Sequence, residues 1–223
     1  MGISSIETEQ TEDKVTIAPL ENEVANRYFI INKPYNMVSQ FVSPDRVRLL
    51  GAIDFQFPEG IHAIGRLDNH SEGLLILTTN KRVTKLLFES KTPHKRTYLL
   101  KVRHPMTEET VQKLRDGVEI VIGDGVLWTT TPCEVELVEK PADLFSHPKE
   151  KKDYVVHTWL TITLTEGKFH QVRKMMEAVK HRCIRLIRIS IEDLELGDLQ
   201  PGCVREYEEE RFFELLKITN WRK

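Results

Sequence analysis

Residues 61–80 read IHAIGRLDNHSEGLLILTTN, and the fold turns on how that stretch is parsed. Ile61, Ala63 and Ile64 lead into Gly65, while Leu74, Leu75, Ile76 and Leu77 follow Gly73. Apolar runs of that length, bounded by glycines, read as buried strands. The turn between them, GRLDNHSEG, is therefore anchored at both ends. It carries Arg66 and Asp68, so a guanidinium and a carboxylate are fixed at the mouth of a core. An Asp-rich hairpin turn is the commoner explanation of Asp and Asn beside Gly. The rest of the chain has to decide between a turn and a site.

The 223 residues suit one large domain or two small ones and suffice for a sizeable core. With 40% hydrophobic and 30% charged residues, the composition is that of a soluble globular protein. No apolar run approaches a membrane span, and the acidic, polar start MGISSIETEQTEDK is unlike a signal peptide. The three cysteines, Cys133, Cys183 and Cys203, are far apart and form no C-x-x-C pair. They are expected to be free core thiols, which suits a reducing cytoplasm.

The formal charge of −2 argues against a nucleic-acid partner, but its distribution argues for one. Lys81, Arg82, Lys85, Lys91, Lys95, Arg96, Lys101 and Arg103 stand against the single acid Glu89. Lys168, Arg173, Lys174, Lys180, Arg182, Arg185 and Arg188 stand against Glu177 alone. The balancing acids lie in the N-terminal tail and between Glu192 and Glu214. One basic face and one acidic face follow, and the basic one suits a polyanion.

Residues 1–26 lack apolar periodicity and are expected to form a flexible acidic tail. A folded domain is expected over 27–223, opening with the strand Arg27–Lys33, which Pro34 ends. Asn80 is placed to cap a helix through Val83, Leu86 and Leu87. Thr97–Arg103 alternates as a strand, and a helix starts at Thr107 and stops near Gly117. Strands are expected around 118–122, 126–131 and 134–138, then a surface insertion over 140–153 and a long strand over 154–165. Phe169–Lys180 reads as a helix burying Val172, Met175, Met176 and Val179. Cys183–Ile191 and Phe212–Ile218 are expected to complete the sheet. Strands outnumber helices and often follow one another directly. The fold class is α+β with a mixed, largely antiparallel sheet and flanking helices.

Three segments carry candidate chemistry: GRLD at 65–68, KRTYLLKV at 95–102 and EGKFHQVRKM at 166–175. Phosphate-loop, dinucleotide-binding and nucleophile-elbow motifs are absent from the sequence. Asp68, His70 and Glu72 alternate, but no second cluster completes a metal site. In this order and spacing, the segments resemble the pseudouridine synthases of the RsuA type. The resemblance also takes in Asn32-Lys33-Pro34, SEGLLILTTN and Leu186-Ile187-Arg188, and so covers nearly everything after the tail. The chain is most similar to the branch without an S4 RNA-binding module, whose members act on large-subunit (23S) ribosomal RNA. It departs from that pattern at Phe169-His170, where the family usually has Asn-Arg.

The resemblance implies an enzyme that isomerises uridine to pseudouridine in RNA, with ribosomal RNA the expected partner. It implies no cofactor and no metal, a cytoplasmic monomer, and a target base flipped out of structured RNA. Asp68 is matched to the essential carboxylate, Tyr98 to the ring that stacks on uracil, and Arg173 to the counter-ion of Asp68. Leu186 would wall the base. Arg66, Lys33, Lys168, His170 and Lys174 are the further residues expected to hold substrate, Arg66 by filling the gap the base leaves. Attack at C1′, attack at C6 and a glycal route all remain open. A non-catalytic RNA-binding factor on the same fold is the competing class, as is a synthase for small-subunit or transfer RNA.

Overall fold

All six residues of Tyr28–Lys33 are buried, which marks this strand, β1, as central and covered on both faces. Tyr28 and Ile30 join one apolar cluster, and Phe29 and Ile31 join another, as a period of two requires. The computed structural model describes residues 25–89, 92–148 and 155–222. Nearly all of the expected tail therefore lies outside the described residues.

After β1 come β2 (His62–Ile64), β3 (Glu72–Thr78), α1 (Val83–Phe88) and β4 (Arg96–Arg103). Then follow α2 (Glu108–Asp116), β5 (Glu119–Ile122), β6 (Val126–Thr129), β7 (Glu134–Val138) and β8 (His157–Leu164). The chain closes with α3 (Gln171–Ala178), β9 (Cys183–Ile191), β10 (Leu194–Glu195), β11 (Val204–Tyr207) and α4 (Glu209–Leu215). Among the described residues, nine strands form one sheet in the order β11-β1-β3-β9-β4-β8-β7, with β2 on β3 and β10 on β9. Strands β5 and β6 pair separately. The α+β class with a mixed, largely antiparallel sheet holds.

One parallel pairing joins the two antiparallel halves: Glu72 lies opposite Ile187, and Gly73 opposite Arg188. The other end of the same edge of β3 is taken by β2. Gly73 has φ +100°, and a Cβ there would sit 2.3 Å from the Arg188 carbonyl oxygen. Glycine is what lets β9 come this close. Arginines then stitch the seam. The Nε of Arg188 donates to the Leu74 carbonyl at 2.8 Å. Arg185 makes a two-pronged ion pair with Glu72, at 2.9 and 3.1 Å. The two side chains of that pair are 4% and 2% exposed.

Helices cover both faces. On one, Phe212 and Phe213 of α4 and Val83 and Leu87 of α1 pack on Tyr28, Ile76 and Ile187. On the other, Val172, Met175 and Met176 of α3 pack on Leu100, Ile162 and Leu186. Beside that second group, the 37–57 segment lays Met37, Leu50 and Ile53 on Phe29, Leu75 and Leu67. Tyr98 touches both of these groups, so it marks the gap between them.

Most expected elements fall in place, and α2 is capped by the Thr107 side chain, which accepts from the Thr110 N–H. Four expectations need correction. Residues 212–218 were expected as a strand, but Glu209–Leu215 is helical. Phe212, Phe213, Leu215 and Leu216 follow a helical spacing behind Glu209 and Glu210, which favour a helix N-terminus. Helix α3 begins at Gln171, because His170 has φ 56° and cannot continue a helix backwards. Asn80 takes the Arg82 N–H, but α1 begins only at Val83. Cys203 is exposed, whereas Cys133 and Cys183 are half-buried, with their thiols pushed up to about 11 by burial.

Candidate active site

The loop between β2 and β3 is held from beneath by the stretch that follows β1. The Ser39 hydroxyl donates to the Leu67 carbonyl and accepts the Leu67 N–H, both at 2.9 Å. The Met37 N–H donates to the Asn69 carbonyl at 3.3 Å. Lys33 is fully buried, and its ammonium donates to the carbonyls of Met37 at 2.6 Å, Pro34 at 3.0 Å and Asn69 at 3.5 Å. Burial pulls the Lys33 pKa down to about 7, against a smaller upward pull from Glu72 and Asp68. These contacts fix Leu67, and so fix where Asp68 points.

The second wall is the corner leading into α3. Glu166 accepts from the Trp128 indole at 3.1 Å, the Thr131 N–H at 2.9 Å and the Gln171 amide at 2.7 Å. The Gln171 carbonyl oxygen in turn accepts the Lys168 N–H at 2.8 Å. At His170 the backbone enters the left-handed region, which His adopts more readily than most residues. The turn sets the His170 Nε2 3.3 Å from Asp68 Oδ1. From α3, the Arg173 Nε lies 3.9 Å from Asp68 Oδ2. Its Nη2 donates to the His70 carbonyl at 2.9 Å and the Ser71 hydroxyl at 3.3 Å. Arg173 therefore binds the Asp68 loop more closely than it binds the carboxylate itself.

Between these walls opens a cavity of about 330 Å³ lined by Asp68, Arg66, Tyr98, Leu186, Lys168 and His170 among others. That volume lies at the small end of the ~300–1,000 Å³ found for small-molecule sites. Of the nine residues expected at the site, those six line the cavity, and Arg173 reaches Asp68 from behind it. Lys174 is directed at the Phe169 ring instead, 5.5 Å from its centroid. Lys33 does not line the cavity, because β1 carries it into the core, where its ammonium holds carbonyls of the loop and of the stretch after β1. His70 and Glu72 part company: His70 stacks on Tyr35, while Glu72 turns inward to Arg185.

Several lining residues were not foreseen. Arg96 and Arg188 contribute guanidinium groups, and Phe88 and Glu166 complete the wall. Burial draws the Arg96 pKa below the ordinary arginine value, and its Nη2 is held by the Thr165 carbonyl at 2.9 Å. Arg185 and Arg188 belong to the second basic segment, yet each is only 4% exposed, so part of that segment serves the seam rather than the surface. Arg188 lay within the quoted Leu186-Ile187-Arg188, whereas nothing in the sequence singled out Phe88 or Ser39.

Comparison with known proteins agrees with this geometry. Residues 27–178 match the family described as RNA pseudouridylate synthase. The ribosomal large subunit pseudouridine synthase E of Vibrio parahaemolyticus is 37% identical, over 82% of this chain and 75% of that protein. The ribosomal small subunit pseudouridine synthase A of Yersinia pestis is 31% identical, over 82% and 70%. A solved pseudouridylate synthase superposes with a TM-score of 0.69 at 24% identity, over 86% of this chain and 74% of that one, which speaks for the fold. An aspartate loop closed over a basic, tyrosine-floored cavity by an arginine-bearing helix thus has a family to explain it: the chain belongs to the RNA pseudouridylate synthases, enzymes that isomerise uridine to pseudouridine within RNA.

Proposed function

We propose that this enzyme isomerises a uridine of large-subunit ribosomal RNA, acting as a monomer in the cytoplasm, with Asp68 as its essential carboxylate. The observation that carries the assignment of Asp68 is its position on the cavity wall, with His170 and Arg173 on its two oxygens. Three of the more similar relatives, at 34–37% identity, are ribosomal large subunit pseudouridine synthases, which supports this substrate class.

The reaction breaks the C1′–N1 bond of uridine, turns the uracil and joins C1′ to C5. C5 loses a proton and N1 gains one, so every atom is conserved and no redox partner is required. Asp68 stabilises or captures the sugar–uracil system as the glycosidic bond breaks. Arg173 keeps the Asp68 loop in place and supplies positive charge behind the carboxylate. Tyr98 lies against uracil on one side and Leu186 packs against it, and the tyrosine hydroxyl assists removal of the C5 proton. Arg66, Lys168 and His170 at the cavity offset the cost of flipping the base, roughly a few kcal/mol.

The test is release of tritium from uracil C5 in transcribed ribosomal RNA. Wild type should release label from the large-subunit transcript and not from the small-subunit one, and Asp68→Asn should release none. Release by Asp68→Asn at the wild-type rate would sink the assignment. Release from the small-subunit transcript alone would move the target.

A further inference from the structure

Three phenylalanines among the described residues are exposed: Phe55, Phe88 and Phe169. Phe55 packs its ring on Phe29 and Phe57. The other two line the cavity, and Phe169 is the more open, with 71% of its surface exposed. Its ring lies flat against His170, with centroids 3.9 Å apart and planes at 18°. Consecutive side chains on a strand point to opposite faces and cannot stack like this. They do so here because the chain turns through the left-handed region at His170.

With one face on His170, the Phe169 ring presents the other to solvent at the cavity rim. Lysines precede and follow it in the chain. The Lys174 ammonium lies 5.5 Å from the Phe169 centroid, and Lys168, the preceding residue, reaches the Trp128 ring at 3.9 Å. An open aromatic face with an ammonium group beside it matches a nucleobase and its phosphate, since every base offers a π-face.

We propose that the Phe169–His170 stack is a platform for the base next to the flipped uridine, with Lys168 and Lys174 taking the adjoining phosphates. This deepens the RNA-isomerase reading and rests on it. The platform favours targets whose neighbouring base is unpaired, because a base held in a duplex cannot leave its own stack for the phenyl ring. It also couples recognition to chemistry through a short path, since the imidazole beneath the ring touches Asp68.

The test compares the full chain with Phe169→Ala, Phe169→Leu and Phe169→Trp. Two readouts are taken: KM and kcat for tritium release from a large-subunit transcript, and Kd for a short single-stranded RNA oligonucleotide of mixed sequence. Loss of one base–aromatic stack should raise KM and Kd by on the order of 5- to 100-fold in the Ala and Leu variants. Their kcat should stay close to wild type, and Phe169→Trp should bind at least as tightly as wild type. Wild-type KM and Kd in Phe169→Leu would overturn the platform, because apolar bulk alone would then suffice. So would a fall in kcat at unchanged KM, which would make Phe169 a prop for His170. Failure of the wild type to release tritium strikes at the proposed activity instead, and the Kd series then decides the platform alone.

Discussion

Replacing Ser39 with alanine removes one oxygen and strands two groups. The Leu67 N–H and carbonyl both lose their partner at 2.9 Å, and Leu67 is only 6% exposed. A buried polar group left unsatisfied costs about 1–3 kcal/mol, so the ceiling for the pair is about 2–6 kcal/mol. The loop will not bear the whole of it. Arg66 is exposed and Asp68 is 31% exposed, so a small shift lets water reach Leu67. That shift moves Asp68, and a displacement near 1 Å at a reacting group costs on the order of 100-fold in rate. The loss should therefore divide, with about 2 kcal/mol in urea unfolding and the remainder as a fall in kcat. Tryptophan fluorescence follows the unfolding, and single-turnover tritium release follows the chemistry. KM should hardly change, because Ser39 is buried away from substrate. Ser39→Thr keeps the hydroxyl and should recover kcat. Were Ser39→Ala to unfold and turn over like wild type, the idea that this hydroxyl aims Asp68 would be refuted.

Arg185→Met leaves the Glu72 carboxylate buried without its partner, and should cost about 3–5 kcal/mol in urea unfolding, or roughly 6–20 °C in Tm. Adding Glu72→Gln should restore much of that loss, and a double variant no more stable than Arg185→Met would contradict the ion-pair account. Lys33 should give stability a rising slope with pH. Its folded pKa of about 7 lies below the ordinary 10.5, so between those values the unfolded chain holds a proton that the folded chain has released. Folding at this site is thus least favoured below pH 7 and gains as pH rises, and Lys33→Met should remove the slope; urea midpoints of both proteins from pH 6 to 9 are the check, and parallel profiles would exclude Lys33 as the source.

The aspartate loop was legible because its signal is local: glycines and apolar runs on either side fix two strands and the turn between them. The buried stripe of α3 was legible for the same reason at Val172, Met175 and Met176, whereas the turn at His170 was not, and Val179 lies past the helix and is half-buried. What escaped notice is set by partners far off in sequence. Lys33 resembled a substrate cation until the fold buried β1 between β11 and β3 and turned the ammonium toward backbone carbonyls. Ser39 is an unremarkable serine until a loop some 28 residues later lies against it. Residues 212–218 misled because two adjacent phenylalanines suit a strand and a helix alike, and only the following Leu215 and Leu216 favour the helix. Arg185 and Arg188 counted as surface charge in the sequence, whereas the fold uses them as internal ties.

The narrow parallel seam at Gly73 has a consequence for how the enzyme is assembled in time. Asp68 belongs to the half of the sheet built from β1, β2 and β3, whereas Tyr98, Leu186 and Arg173 belong to the half built around β4 and β9. Neither half contains a working set of groups. Each can form its local hairpins early, but the pairing of Glu72 with Ile187 joins positions far apart in the chain, and loop-closure entropy makes such contacts late. The Asp68 carboxylate and Arg173 are brought within 3.9 Å only where the two halves have docked. The proposed set of site groups is therefore complete only in the fully paired sheet.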